Sequence, residues 1–234
     1  MNVLGIVDLY KRLSPSLKSS LIIIFILIVF AIVIGIKAKK QDPNKAPKGV
    51  LLLVEILVKW VNGMCNEIMG EKGKRYSPMI LTFVMFIFIA NIAGLFGLHP
   101  PTANIAITVG LGFISGFLIH WTGIKEQGLK NWLKSFLDPT PIMLPMNIIS
   151  ELITPLSLGM RLFGNILSGV IIMNMIYVVL TGLNVGMLPL GAIVTPFVTP
   201  VFHAIFDIFF GAIQTYVFAL LTIVFISGKM PEEE

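Results

Sequence analysis

The residues of this 234-residue chain that could do chemistry lie inside its most apolar segments. Arg161 stands in the stretch SLGMRLFGN, residues 157–165. An arginine keeps its charge in proteins, and a charge at the middle of a bilayer costs from about 2.5 to above 10 kcal/mol, so it normally faces a partner or a water-filled cavity. Polar residues recur around it at spacings of four, four and three, so that one helical face carries Ser157, Arg161, Asn165 and Ser168.

A second polar face lies nearer the C-terminus, where His203, Asp207 and Gln214 are spaced by four and seven residues. An imidazole and a carboxylate in an apolar segment can exchange protons near neutral pH. Asp207 therefore favours a role in an ion path, whereas His203 is as readily a histidine at the membrane interface. Glu151 lies ten residues before Arg161, about 80° round a helix, so we expect it on a different face.

Composition defines the class of protein. Hydrophobic residues make up 56% of the chain, the mean hydropathy is +0.92 and charged residues make up only 12%, against about 25% in soluble domains. We find no nucleotide-binding loop and no GxSxG, HExxH or CxxC motif. The lone cysteine, Cys65, excludes an intrachain disulfide. We predict an integral membrane protein without cofactor, metal or nucleic acid.

Five apolar segments are long enough to span a membrane as helices: residues 21–36, 77–98, 104–124, 147–180 and 191–227. A cleaved signal peptide is the alternative for the first, but no small-residue cleavage site follows it. A very short turn joins the second to the third, which predicts a helical hairpin. The last two segments have 34 and 37 residues, roughly 50 Å of helix against about 30 Å of hydrocarbon, so they must be tilted or kinked.

The remaining apolar segment, residues 49–70, differs because polar residues fall close to one helical face: Glu55, Lys59, Asn62, Asn66 and Glu67. This pattern is typical of an amphipathic helix at the membrane interface. The sequence therefore predicts an all-α polytopic fold, one membrane domain over residues 1–234, with five spans and one interfacial helix.

Orientation follows from the basic residues. If 49–70 does not cross, the loops 37–48, 71–76 and 125–138 share one side and hold five, three and three Lys or Arg residues, while the turns 99–103 and 181–190 hold none. Because basic loops stay cytoplasmic, we expect the C-terminus inside and the N-terminus outside. The basic residues before the first span argue weakly against an N-terminus on the outside.

Three stretches resemble a known family. ITPLSLGMRLFGNILSG, residues 153–169, resembles the signature of subunit a of the F-type ATP synthase membrane sector, and AIQTYVFALLTIVFIS, residues 212–227, is similar to its C-terminal helix. NIAGLFGL followed by PPTANIAIT resembles the preceding hairpin. The resemblance covers roughly residues 77–228.

The resemblance implies a stator subunit with no catalytic site of its own, in the plasma membrane of a bacterium. Such a subunit lies beside a ring of c subunits, with the peripheral-stalk subunit b and the remainder of the ATP synthase as further partners in the lipid bilayer. Its two long helices face the ring and hold two offset half-channels that load and unload the ring carboxylates. Arg161 would prevent a direct ion leak, with Asn165 and Gln214 as polar neighbours.

The chain departs from the family at three positions. Many members have a Glu nine residues after the arginine, where this chain has Val170, and Asp207 stands where many have His or a small residue. We hypothesise that Asp207 takes over as the relay carboxylate. Asn104 replaces an Asp of some members near the hairpin turn, which leaves the outer half-channel with fewer acids. Glu151 matches a common acid and is our candidate for the cytoplasmic half-channel.

The main alternative is a stand-alone channel or secondary transporter with an arginine-based anion site, but we see no inverted repeats between the halves. A second alternative, a membrane scaffold without transport, predicts that loss of Arg161 is tolerated. The sequence leaves open whether the ion is H⁺ or Na⁺, because in this family the ring sets that choice.

Overall fold

The computed structural model describes residues 14–41, 47–137, 140–182 and 190–230, which form helices and no strand. Five helical stretches in these ranges are long and apolar enough to cross a membrane. The all-α polytopic prediction is confirmed. The helices, in order, are α1 Pro15–Lys40, α2 Val50–Met69, α3 Gly73–Ile92, α4 Ile105–Gln127, α5 Leu129–Ser135, α6 Leu144–Gly182, α7 Leu190–His203 and α8 Gly211–Ser227. A π-helical segment, Ala204–Phe210, joins α7 to α8 without a break.

Capping residues explain where two of the membrane helices begin. Ser14 caps α1 by accepting a hydrogen bond from the Leu17 amide at 3.4 Å, and Pro15 follows as the first helical residue. Asn104 caps α4 in the same way, accepting from the Ala106 amide at 2.9 Å. Gly128, with φ of 79°, ends α4 because few other residues adopt that conformation.

Helix α2 corresponds to the segment 49–70. Gly70 turns the chain between α2 and α3, so that the Ser77 hydroxyl on α3 bonds the Asn62 amide oxygen on α2. On another side of α2, the Trp60 ring lies 6.0 Å from that of Tyr216 on α8. Helix α2 thus lies alongside both α3 and α8, and its placement at the membrane interface stays a prediction.

The core lies where α2, α3, α4, α6 and α8 meet. Phe218 of α8 is 1% exposed and meets Phe83 of α3 edge-on, with ring centroids 5.7 Å apart. Leu162 of α6 and Ile223 of α8 are fully buried. Helix α6, which carries Arg161, therefore packs against the rest of the bundle through one face only.

Glycines bring α4 and α6 into backbone contact. A Cβ on Gly112 would lie 2.2 Å from the Pro155 carbonyl oxygen, and one on Gly159 would lie 2.6 Å from Cα of Val109. Such close approach is typical of small residues in membrane helices. Gly116 of α4 also meets α6, at Pro155, whereas a Cβ on Gly110 would meet nothing within 4 Å.

The contacts of helix α1 show which residues lie at each end of the bundle. Ile23 near its start packs against Ala90 and Ala93 at the end of α3. Its last turn, with three lysines between 37 and 40, therefore lies toward the opposite end, where α2 turns into α3. The basic residues thus collect at one end of the bundle.

Two glycines of α4, two residues apart, test the close contact with α6. Gly112→Ala is expected to lower stability by about 1–3 kcal/mol, because the new methyl group overlaps the α6 backbone. Gly110→Ala is the matched control, since it adds the same methyl group in open space. The measurement is the unfolding temperature of the detergent-purified chain, and equal temperatures for the two variants would contradict the packing described.

Candidate ion-path site

Arg161 is the 18th of the 39 residues of α6 and is exposed. A different face of the helix is buried, where Leu158 and Leu162, about 60° and 100° round from Arg161, are 2% and 0% exposed. Within the described ranges, the Arg161 guanidinium makes no hydrogen bond and no ion pair. The charge therefore points away from the packed bundle, at mid-helix.

The polar face around Arg161 meets the last helix at Asn165. Ser157 and Ser168 are exposed, and the Ser168 hydroxyl donates to carbonyl oxygens of its own helix, at Gly164 (2.8 Å) and Asn165 (2.9 Å). The Asn165 amide donates across the helix interface to the Phe210 carbonyl oxygen at 3.4 Å. The two predicted polar faces thus approach each other through Asn165.

The π-helical segment brings the last helix to this contact. The chain stays α-helical through Pro196 and Pro200 and widens only after His203. Insertions of this kind change the backbone hydrogen bonding of a helix and are frequent at functional sites. Two asparagines from other helices bond the carbonyls at its end: Asn165 at Phe210 and Asn91 of α3 at Gly211, the latter at 3.1 Å.

Hydrogen bonds link the His203 imidazole to the Asp207 carboxylate and to the Tyr177 hydroxyl. The His203 Nδ1 lies 2.6 Å from Oδ2 of Asp207, and its Nε2 lies 3.0 Å from the Tyr177 hydroxyl of α6. Asp207 Oδ2 also lies beside Gly94, just after the end of α3: a Cβ added to this glycine would be 3.6 Å from that oxygen. His203 and Asp207 are partly exposed, which leaves them open to water.

Gln214 occupies a different environment one turn past the π segment. It is 6% exposed, and its Nε2 has no hydrogen-bond partner among the described residues. Asn91, which is 2% exposed, leaves its own Oδ1 unpartnered in that part of the chain as well. An unsatisfied donor and an unsatisfied acceptor are thus buried on facing helices.

Glu151 faces the far end of the bundle rather than Arg161. Its carboxylate forms an ion pair with the Lys229 ammonium, and its second oxygen lies 3.8 Å from Nε2 of His120. Gln127 holds Lys229 in place by donating to its carbonyl oxygen at 2.9 Å. The acid is therefore partly neutralised by the C-terminal segment.

Asn104 has a structural task at the opposite end, where it caps α4. Its part in an ion path stays a prediction.

Sequence reasoning missed Tyr177, Asn91 and Lys229. Tyr177 lies 16 residues after Arg161, about 160° round the helix, and so falls outside the polar face defined by spacing. Asn91 is a single amide in an apolar span. A signal was present for Tyr177, since it is the only tyrosine between residues 144 and 182.

Five long apolar helices around an exposed arginine and a hydrogen-bonded carboxylate define a polytopic membrane protein with ionisable groups inside its spans. The family model described as ATP synthase A chain matches residues 19–227. The chain belongs to this family, and the resemblance read from its motifs is confirmed.

Relatives cover nearly the whole chain. It is 34% identical over 214 residues to ATP synthase subunit a of Sulfurihydrogenibium sp. (strain YO3AOP1), which covers 89% of this chain and 95% of that protein. It is 34% identical over 218 residues to ATP synthase subunit a of Aquifex aeolicus (strain VF5), covering 91% and 97%. With ATP synthase subunit a of Streptococcus agalactiae serotype III (strain NEM316), the identity is 34% over 227 residues, covering 91% and 87%.

Charge reversal tests the ion pair between Glu151 and Lys229. Glu151→Lys and Lys229→Glu each place like charges together and are expected to lower the unfolding temperature of the purified chain. The double variant restores an ion pair and should recover stability, with a coupling energy of about 1 kcal/mol or more.

The exposed pair Glu55–Lys59, 2.6 Å apart on α2, provides the control for this cycle. Its reversal is expected to change stability by less than about 0.5 kcal/mol, because solvent screens it. Additive effects of the two single reversals at 151 and 229 would show that their contact contributes nothing.

Proposed function

We propose that this chain is the ion-translocating stator subunit of an F-type ATP synthase in a bacterial plasma membrane. In this proposal it provides two offset half-channels that load and unload the carboxylates of a c-subunit ring. The observation that carries the proposal is the exposed Arg161 guanidinium at the middle of a 39-residue helix, without an ion-pair partner among the described residues.

An isolated charge in hydrocarbon is too costly to persist without a partner. Since the described part of the chain offers Arg161 no anion, the partner is supplied from outside. A membrane carboxylate on a ring subunit meets this requirement. Exposed apolar side chains flank Arg161 on the same helix, at Leu156, Met160 and Leu167, and give a surface on which an apolar ring helix can pack.

A permanent cation also explains how a leak is prevented. Arg161 attracts each ring carboxylate in its ionised form, so the carboxylate gives up its ion before it passes. The same positive charge repels a proton or cation that would cross directly between the half-channels. Each unit charge that crosses releases about 2.3 kcal/mol per 100 mV of membrane potential, and this energy drives rotation.

The outer half-channel is assigned to Asp207 and its neighbours. Gly169 and Phe206 face each other, since a Cβ on Gly169 would lie 3.7 Å from Cβ of Phe206. The next residue of each helix, Val170 and Asp207, therefore lies at a similar height in the membrane. An acid at 207 can therefore serve where an acid at Val170 is missing. From Asp207 the route continues past Asn165 and Gln214 toward Arg161.

The inner half-channel is assigned to Glu151, at the end of the bundle that carries the basic residues. Positive charges mark the cytoplasmic side, so the C-terminus lies inside and the N-terminus outside. Peripheral-stalk subunit b and the remaining ATP synthase subunits complete the proposed assembly.

Arg161→Ala is expected to abolish coupling. Without the cation, ions leak between the half-channels and ring carboxylates are no longer discharged, so ATP synthesis driven by an ion gradient should fall at least about a hundredfold. The measurement is ATP synthesis by membrane vesicles that contain the assembled complex.

Arg75→Ala is the matched control, because Arg75 is an exposed arginine 3.8 Å from Glu126 at the basic end of the bundle. It should leave synthesis unchanged. Normal synthesis in vesicles with Arg161→Ala would refute the proposed function.

Asp207→Asn tests the outer half-channel. It keeps the size of the side chain but removes the titratable group, so ATP-driven ion pumping is expected to fall about tenfold or more. Adding Val170→Glu to Asp207→Asn should restore part of the rate, because the second acid lies at a nearby level. Full activity of the single variant would exclude Asp207 from the path.

A further inference from the structure

Tyr177 contacts the imidazole on the side that Asp207 leaves free. Its hydroxyl lies 3.0 Å from His203 Nε2, while Nδ1 is 2.6 Å from the Asp207 carboxylate. Both ring nitrogens are therefore engaged, one by each neighbour. With the carboxylate accepting a proton from Nδ1, Nε2 is the acceptor and the Tyr177 hydroxyl is the donor.

The three groups follow the long axis of the helices. Tyr177 is five residues before the end of α6 at Gly182, and it lies 12 residues beyond Asn165, roughly 18 Å along the helix. The contacts Tyr177–His203 and Asn165–Phe210 show that residue numbers fall along α6 as they rise along the last helix. Tyr177, His203 and Asp207 thus lie successively nearer the level of Arg161.

We propose that Tyr177, His203 and Asp207 form a proton relay that feeds the outer half-channel, with Tyr177 as its entry. A relay of these groups delivers H⁺, so the ring that this chain serves takes up H⁺. This inference rests on the proposed function, because it names the ion and the entry of the same path.

The relay conserves protons at each step. A hydronium ion from the outer water gives a proton to the Tyr177 oxygen and becomes water, as the phenol passes its own proton to Nε2 of His203. The imidazolium so formed releases its Nδ1 proton to the Asp207 carboxylate, which becomes the neutral acid. Asp207 then passes this proton inward to an ionised ring carboxylate and is again a carboxylate. The ring of His203, which is partly exposed, turns over to return its N–H to Asp207.

This route carries H⁺ and not Na⁺, because the step through the imidazole exchanges a proton between two nitrogens. A metal cation has no equivalent step. The phenol adds a hydroxyl that keeps Nε2 in contact with a proton donor, so proton uptake does not wait for water to reach the ring.

The test is Tyr177→Phe in the complete ATP synthase in inverted membrane vesicles. The initial rate of ATP-driven proton uptake is expected to fall about tenfold, and its solvent deuterium isotope effect should rise because proton delivery becomes rate-limiting. Tyr216→Phe is the matched control. It removes the same hydroxyl from an exposed tyrosine next to Trp60 and should match the wild type.

His203→Gln provides a second variant, because glutamine can hydrogen-bond but cannot pass a proton through a ring. It should reproduce the slow rate and the raised isotope effect, and the double variant with Tyr177→Phe should be no slower than His203→Gln alone. A purely structural role for Tyr177 would lower the amount of assembled complex without changing the isotope effect.

Two results overturn the inference while leaving the proposed function intact. One is a wild-type rate and isotope effect in Tyr177→Phe when Arg161→Ala still abolishes coupling. The other is ATP-driven uptake of radioactive Na⁺, or proton uptake that requires added Na⁺. Retained coupling in Arg161→Ala would instead remove the proposed function and the relay together.

Discussion

The main constraint on the structure is the position of Arg161, a permanent charge in a helix surrounded by hydrocarbon. Arg161 cannot lose its proton, and hydrocarbon offers it no acceptor. The fold buries the face of α6 that carries Leu158 and Leu162 and leaves the arginine on the outer face. A cation placed there is stable only when an anion or water reaches it from outside the bundle. In the proposed function, a ring carboxylate opposite Arg161 meets this requirement.

Backbone carbonyls inside a membrane face the same constraint, since they too need partners within the protein. At the end of the π segment, Asn91 bonds the carbonyl of Gly211 and Asn165 bonds that of Phe210. These donors come from α3 and α6, so they fix the segment against two helices at once. The bonds that satisfy the backbone thereby also set the position of Asp207 relative to Arg161.

Sequence patterns predicted the helices and the charged residues, because apolar length and polar spacing are local properties. The five apolar stretches and the family are confirmed, and the spacing of four placed His203 next to Asp207. Patterns could not predict the π segment, at whose end asparagines from two other helices donate to backbone carbonyls. They also could not place Tyr177 or Lys229, since each of these residues makes its contact with a side chain on a different helix.

An acid at 207 changes how the proposed outer path depends on helix packing. An acid at Val170 would reach the imidazole only across the gap between α6 and the last helix. Asp207 instead stands four residues from His203 on the same helix, so the 2.6 Å contact between them is set by helix geometry. Of the two hydrogen bonds of His203, the one with Tyr177 is the one that crosses between the helices. A tilt of α6 against its neighbour would thus break the route at its entry and leave the inner link intact.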